Sequence, residues 1–507
     1  MTPDETSTPR RTRALALSLA GAALVAGTVL VPAVPAAAES PLTWEPCEGL
    51  PVVAAGQECA RLSVPLDHGD PGGERLTLAV SRVRGDRPAE RRGTLLLIPG
   101  GPGGSGLRML GQKGDALRAR LGGAYDLVSF DPRGVGRSST ASCGLSDDDR
   151  HLAHLRSWPA PDGDVTENVA RSLRVAESCA RDGGPVLRSL STANEVRDID
   201  ALRRALGERK LSAWGVSYGA YVGAVYAQRY PRNTDRWVLD SSGDPDPARV
   251  GRGWLANMGR GVDERFPDFA AWAADPAREA RGLRLAARPE EVRPRFLALA
   301  ERLDRAPRET TTPGVPLTGN RLRQALQNAL TNTASFPRLA RLLKEAGDPD
   351  PAVRPVLTDD VAGAMPDADA AVTVGVVCND VRWPRASAAA YGRAVAADRA
   401  RHPLTAGLPV NVTPCAYWKD TPAERPTRIT DQGPSNILMI QNLRDPATPY
   451  AGALKMRAAL GDRARLVSVD RGGHGVYLGN GNACGDRAVT DFLRTGTRPA
   501  ADVRCAD

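Results

Sequence analysis

Residues 211–223 read LSAWGVSYGAYVG. The stretch opens as a short apolar strand, Leu211–Trp214, and turns sharply at Gly215-Val216-Ser217-Tyr218-Gly219. It then continues as a small-residue helix to about Tyr230. A bare G-x-S-x-G is a weak signal in a chain with 51 Gly. Between a strand and a helix it is a strong one. The two glycines allow a turn too tight for a Cβ, and the turn pushes the serine hydroxyl out at a helix N-terminus. Ser217 is therefore the candidate nucleophile, because a serine that merely caps a helix requires neither the second glycine nor the buried strand.

Outward from this turn the same grammar repeats. Leu76–Arg84 (LTLAVSRVR) reads as a strand, and Thr94–Ile98 (TLLLI) as a fully buried one running into the glycine-rich segment 99–106, PGGPGGSG. Asp126–Phe130 (DLVSF) runs into 131–138, DPRGVGRS. A helical pattern, Ala193–Leu206, leads to the strand before Ser217, and the next strand, Arg236–Leu239, ends in Asp240-Ser241-Ser242-Gly243. Strands ending in glycine-rich turns and alternating with helices indicate an α/β fold with a mostly parallel sheet and its active edge at the strand C-termini. From 244 to 431 the alternation stops. Helix formers dominate there, with amphipathic stretches at Glu290–Leu303 and Arg321–Leu330 and repeated prolines. The sheet pattern resumes at Asn436–Gln441, followed by a helix at Tyr450–Leu460 and a strand at Ala464–Val469. The expected organisation is a catalytic sheet domain in two parts, 39–243 and 432–507, with a large helical cap, 244–431, inserted between two strands and laid over the strand ends.

A serine needs a base, and the chain has five His: His68, His151, His154, His402 and His474. In this architecture the partners follow in the order Ser, acid, His. His402 lies inside the cap with no strand before it, whereas His474 stands in Gly472-Gly473-His474-Gly475, just after a strand. His474 is the expected general base. The orienting acid belongs on the loop after the preceding strand, where Asp445 stands in RDPATP (444–449). Asp462 falls in a helix-to-strand turn and Asp470 closes a strand, so Asp445 is preferred. A carboxylate on the imidazole holds the working tautomer and stabilises the imidazolium. The oxyanion hole is expected from the backbone N–H of Tyr218 together with Gly101 of the glycine loop. A phosphate-binding reading of that loop fails, since no Gly-Lys-Ser/Thr ending follows.

Composition narrows the remaining classes. Charged residues make up 25% and hydrophobic residues 42% of 507, which suits a globular chain and excludes rods and wholesale disorder. The net charge is +8, but only 5 of the 67 basic residues are Lys and the Arg are scattered among 59 acids. No basic stripe is present, and no nucleic-acid partner is expected. Arg10, Arg11 and Arg13 precede an uncharged run from Ala14 to Val31, and Ala36-Ala37-Ala38 follows. This pattern describes a secretory signal peptide, residues 1–38, in preference to a membrane anchor, and Pro32 and Pro35 favour the processing site. No stable membrane association is expected after cleavage, and the mature chain is expected to be a secreted, extracellular monomer. The Arg10-Arg11 pair leaves the export route open between the general and twin-arginine pathways. Eight Cys suit that compartment. Nearest-neighbour pairing gives Cys47–Cys59, Cys143–Cys179, Cys378–Cys415 and Cys484–Cys505 as the simplest of 105 connectivities. With no C-x-x-C pair, no metal site is expected.

Taken in order, PGGPGGSG, FDPRGVGRS, GVSYGAYVG, RDPATP and GGHG resemble the α/β-hydrolase-fold serine exopeptidases. Within them the chain looks most like the secreted tripeptidyl aminopeptidases of actinobacteria, cousins of the prolyl aminopeptidases. The likeness runs from Trp44 through Cys505, including Cys378-Asn379-Asp380. The prolyl relatives usually carry His where Pro99 stands, which makes single-residue removal the less natural inference. The resemblance implies an enzyme that removes short peptides, often ending in Pro or Ala, from free N-termini. It would do so through an acyl-enzyme, with no cofactor. A free ammonium calls for a nearby carboxylate, for which Asp263, Glu264 and Asp380 are candidates. Trp254, Phe266, Phe269 and Trp272 could line a pocket, though helix packing is the simpler role. Two other readings stand beside this one: a carboxylesterase or lipase with the same triad, and a catalytically silent surface binding protein on a hydrolase scaffold.

Overall fold

The computed structural model describes residues 42–150 and 157–506. The signal-peptide reading and His151 and His154 fall outside the described residues. One ten-stranded sheet runs through the molecule: β1 (Glu45–Pro46), β2 (Gln57–Pro65), β3 (Arg75–Val83), β4 (Thr94–Ile98), β5 (Asp126–Phe130), β6 (Leu211–Val216), β7 (Thr234–Asp240), β8 (Ile437–Arg444), β9 (Ala464–Gly472) and β10 (Val503–Cys505). Their spatial order is β1-β2-β3-β5-β4-β6-β7-β8-β9-β10. The β1–β2, β2–β3 and β3–β5 pairs are antiparallel, and every pair from β5 to β10 is parallel. This is the α/β-hydrolase fold.

The apolar runs explain the central strands. In β4, Leu95 and Leu97 enter one hydrophobic layer while Leu96 and Ile98 enter the other, and all four are sealed from solvent. Such burial on both faces, at roughly 1.5–3 kcal/mol per side chain, needs helices on each side of the sheet. The main ones are α1 (Gly106–Leu121), α2 (Thr166–Asp182), α3 (Thr192–Ala205) and α4 (Tyr218–Arg229) in the first part of the chain. Ser105 caps α1 by accepting from Arg108 N, and the left-handed Gly122 ends it. The helix α2 and the short helix Gly184–Ser189 fill a stretch that pattern reading leaves blank, and the Cys143–Cys179 bond fixes them to the β5 loop.

Between β7 and β8 the described residues form no strand, only an isolated bridge from Arg308 to Leu317. This inserted span has two parts. Its first part contains α5 (Arg252–Ala274), α6 (Val292–Arg305), α7 (Gly319–Leu330) and α8 (Phe336–Gly347) around a core of its own, with Phe266, Phe269, Phe296, Leu322, Leu326 and Phe336. Its second part begins with α9 (Asp367–Asp380), whose Ala370, Ala371, Val372 and Val376 join the core under the sheet. Only the first part is therefore a cap with a separate core. In the second, α9 adds a layer to the sheet domain, while Leu404 further along packs into the core of the first part. The chain returns through α10 (Tyr450–Leu460), between β8 and β9, and α11 (Ala483–Thr495), between β9 and β10.

Disulfides join Cys47 to Cys59, Cys143 to Cys179, Cys378 to Cys415 and Cys484 to Cys505, the nearest-neighbour set. The third ties the end of α9 to the segment leading back to β8. Closing a loop of 37 residues, it should restrict the unfolded chain substantially. Replacing Cys378 and Cys415 by Ser should lower unfolding free energy by ~2–4 kcal/mol in chemical denaturation.

Candidate active site

The turn at Ser217 is tight for a reason visible in its neighbours. A Cβ on Gly215 would stand 2.2 Å from Gly219 O, and one on Gly219 would stand 2.2 Å from Ile98 O. No side chain fits at either place. Ser217 itself takes φ 61° and ψ −123°, a conformation rare for L-residues. Its N–H is held by Asp240 O at 2.9 Å. Tyr218 N–H opens α4 with no carbonyl a turn behind it to accept the bond. The glycine loop passes alongside: a Cβ on Gly100 would lie 2.8 Å from Val216 O and 3.0 Å from Ser217 Cβ. Gly101 is the next residue. The loop is anchored by Asp131, which accepts from Ser105 Oγ at 2.6 Å, Leu107 N at 3.2 Å and Arg137 N at 3.0 Å. The FDPRG motif thus works as a clamp on the glycine loop.

Asp445 is sealed from solvent and saturated with donors. Its Oδ1 accepts from Ala447 N and Thr448 N at 2.9 Å each, and its Oδ2 from Thr448 Oγ1 at 3.0 Å and Gln441 Nε2 at 3.2 Å. His474 Nδ1 lies 3.0 and 2.9 Å from the two carboxylate oxygens. Facing acceptors, Nδ1 carries the proton, and Nε2 is left with its lone pair. Burial alone would lower the imidazole pKa, but the charge of Asp445, its hydrogen bond and the charge of Asp240 outweigh that and hold it above the ordinary value.

Asp240, at the end of β7, joins these two halves. Its buried carboxylate accepts from Val476 N and Tyr477 N at 2.9 Å, Ser241 Oγ at 3.0 Å and Trp214 Nε1 at 3.3 Å. Ser241 Oγ in turn accepts from Gly475 N at 3.0 Å. The loops carrying Ser217 and His474 are therefore fastened to the same strand end. Among the described residues Ser217 Oγ makes no hydrogen bond, so the bond from this hydroxyl to His474 is not formed in this structure.

Of the three acids considered for a substrate ammonium, two are engaged within the cap. Asp263 pairs with Arg293 at 2.7 Å and His402 Nδ1 at 2.6 Å, and Glu264 with Arg260 at 2.6 Å. Asp380 is buried and accepts from Thr192 N at 2.8 Å and Thr192 Oγ1 at 2.5 Å; burial pushes its carboxyl up to about 6. Thr192 Oγ1 meets Tyr218 Oη at 2.9 Å, and Tyr218 Oη donates to Glu195 Oε2 at 3.1 Å. Burial, aided by the charges of Asp198 and Asp380, pushes the Glu195 carboxyl up to about 8. The aromatic set divides. Phe266, Phe269 and Trp272 pack within the cap, while Trp254 lies edge-on to Tyr218 and Tyr221.

Sequence reasoning missed Asp240, Thr448, Gln441 and Glu195. The signal for Asp240 was its place at the end of the strand following the serine turn. No pattern marks Glu195, a helical acid among many. No described group of His, Cys, Asp and Glu could hold a metal ion, and no described helix is long and apolar enough to cross a membrane.

Residues 405–505 match a family described as TAP-like protein. The chain is 34% identical over 493 residues to a tripeptidyl aminopeptidase of Streptomyces lividans, covering 93% of this chain and 87% of that one. It is 28% identical over 519 residues to the serine protease Hip1 of Mycobacterium tuberculosis, covering 97% and 96%. It is also 31% identical over 517 residues to a carboxylesterase B of Mycobacterium tuberculosis, covering 96% and 94%.

An NMR titration should find the His474 imidazole ionising above 6.5, and Asp445→Asn should bring the value down by removing the attracting charge. Asp240→Asn should cost ~1–3 kcal/mol in denaturant unfolding, since an amide cannot offer two acceptor oxygens to the Val476 and Tyr477 N–H groups.

Proposed function

This chain belongs to the tripeptidyl aminopeptidase family of α/β-hydrolase-fold serine peptidases, and from that footing we propose that it is a secreted exopeptidase whose triad is Ser217, His474 and Asp445. The observation that carries the reading is the His474–Asp445 pair, at 2.9–3.0 Å, with its loop and the Ser217 N–H both bound to Asp240.

In the proposed reaction Ser217 Oγ attacks the scissile carbonyl while His474 Nε2 takes its proton. The Tyr218 and Gly101 N–H groups receive the developing oxyanion, a contribution of roughly 2.7–4 kcal/mol per donor. The imidazolium, held by Asp445, returns the proton to the leaving amine. Water, deprotonated by the same imidazole, then hydrolyses the ester to free the peptide and the serine. The Asp131 clamp on the glycine loop supports Gly101 as a donor, because a fixed N–H need not reorganise during the reaction. Removal of peptides from free N-termini is the reading carried over from the Streptomyces relative. Asp380 is favoured over Asp263 and Glu264 for the ammonium because the Thr192–Tyr218 chain links it to the residue beside the nucleophile. Four disulfides suit an oxidising compartment and support secretion. The relative named carboxylesterase B favours a second reading, an esterase with the same triad.

Ser217→Ala should reduce turnover to background, a fall of at least roughly 10⁴-fold, with unchanged thermal unfolding. For the wild-type enzyme kcat/KM should rise with pH through the free-enzyme His474 pKa, above 6.5. Capping a tripeptide substrate with an N-acetyl group should abolish its hydrolysis; equal rates on blocked and free peptides would overturn the aminopeptidase reading.

A further inference from the structure

The His474 backbone N–H donates to the inserted cap and not to the sheet. Its acceptor is Thr331 O, at 2.8 Å, the carbonyl that follows α7. Thr331 O also presses on Gly473, where a Cβ would stand 2.9 Å from it. This carbonyl is held in place from α5. Arg265, nearly sealed from solvent, donates Nε to Leu330 O at 3.2 Å and Nη2 to Thr333 Oγ1 at 2.7 Å, and its Nη1 pairs with Asp268. Asp268 then receives Arg444 Nε on both oxygens, at 2.9 and 3.1 Å.

Arg444 ends β8 and completes the grip from the sheet side. Its carbonyl accepts Gly473 N–H at 3.1 Å, and its Nη1 reaches Asp470 at 2.7 Å. Asp470 also receives Arg504 of β10 at 2.7 Å. The segment Gly472–His474 runs through the middle of this arrangement. A Cβ on Gly472 would stand 2.1 Å from Arg265 Nη1 and 2.4 Å from Asp268 Oδ2. The same helix also meets the acid of the pair: a Cβ on Gly261 would lie 2.9 Å from Asp445 O and 2.7 Å from Pro449 Cγ. Gly261, Arg265 and Asp268 follow one another at i, i+4 and i+7, so a single face of α5 touches both loops.

We propose that Arg265 and Asp268 of the cap are positioning residues for the general base. They hold the Thr331 carbonyl over the His474 N–H and lock it to Arg444, so that the imidazole meets Asp445 correctly only while the cap is seated. The proposal rests on the reading of His474 as the base. Neither side chain touches the reacting atoms. A loosened cap lets the ring drift from Asp445, and the acid limb of the pH profile then moves down toward the ordinary imidazole value. The charged groups facing the ring and its loop are Asp445, Asp240, Arg265, Asp268, Arg444 and Asp470, and only the first two hold the imidazole value up directly.

The experiment measures how fast a small fluorophosphonate labels Ser217, a reaction that needs the base but no peptide site, beside kcat, KM and the pH profile. Asp268→Asn should slow labelling and kcat each by roughly tenfold. It should change KM less than about threefold and lower the acid limb, and Asp268→Glu should restore most of the loss. If Asp268→Asn does not fold, Arg265→Lys takes its place with the same expectations. Arg504→Ala, at the far end of the chain of charges, should label at the wild-type rate. Wild-type labelling rate and acid limb in a folded Asp268→Asn protein would overturn the proposal. If instead His474→Ala labels as fast as wild type, the base assignment itself fails, and the two failures are thereby told apart.

Discussion

A carboxylate buried without solvent must be surrounded by donors, and Asp240 obtains them from the parts that have to work together. Four groups donate to its side chain, two of them backbone N–H groups just beyond His474, while its own carbonyl takes the N–H of Ser217. Displacing the His474 loop would leave a buried charge with unfilled acceptors, and displacing the serine turn would leave a buried carbonyl unpaired; the first is far more costly than losing an ordinary surface contact. The strained backbone at Ser217 persists under this constraint. It also explains how residues separated by more than two hundred positions keep a common frame: both are referred to the end of one strand.

The parts of the fold that were legible in the sequence are those whose chemistry is local. Thr94–Ile98 and Asp126–Phe130 could be bounded to the residue because a strand buried on both faces is a short, mainly apolar run that stops at a turn. The serine turn was legible because two glycines are needed where carbonyls approach too closely for a Cβ. That Asp445 and His474 stand beside each other could be expected from chain order and loop position. The contributions of Asp240, Thr448 and Gln441 were not legible, since each depends on which distant backbone group lies opposite. β2 escaped as well: it alternates buried and exposed positions near an edge and carries Cys59, Arg61 and Ser63 among its apolar residues. The division of the inserted span was hidden for a similar reason. Its helices are all amphipathic or apolar, and only packing decides that Phe266 looks into the cap and Val372 into the sheet core.

A second network lies behind Ser217 and differs in kind from the first. Tyr218, whose main chain opens α4, places its phenol between Glu195 and Thr192, with Asp380 beyond. Burial drives both carboxyls upward, so near neutrality this cluster carries less charge than three adjacent acids, Asp198 included, would suggest. Its dependence on the cap is small: Thr192 and Glu195 belong to α3, and Asp380 belongs to the part of the insertion that shares the sheet core.

The insertion leaves from β7 and returns to β8, and these are hydrogen-bonded neighbours, with Trp237 opposite Ile437. The sheet therefore closes across the junction with no register of its own to be supplied by the intervening chain. Evolution can lengthen, shorten or replace the first helical part without re-threading a single ladder bond, provided that one helical stripe still meets the loops it rests on. The helical part can thus vary in length and sequence while the ladder beneath it keeps its pairing.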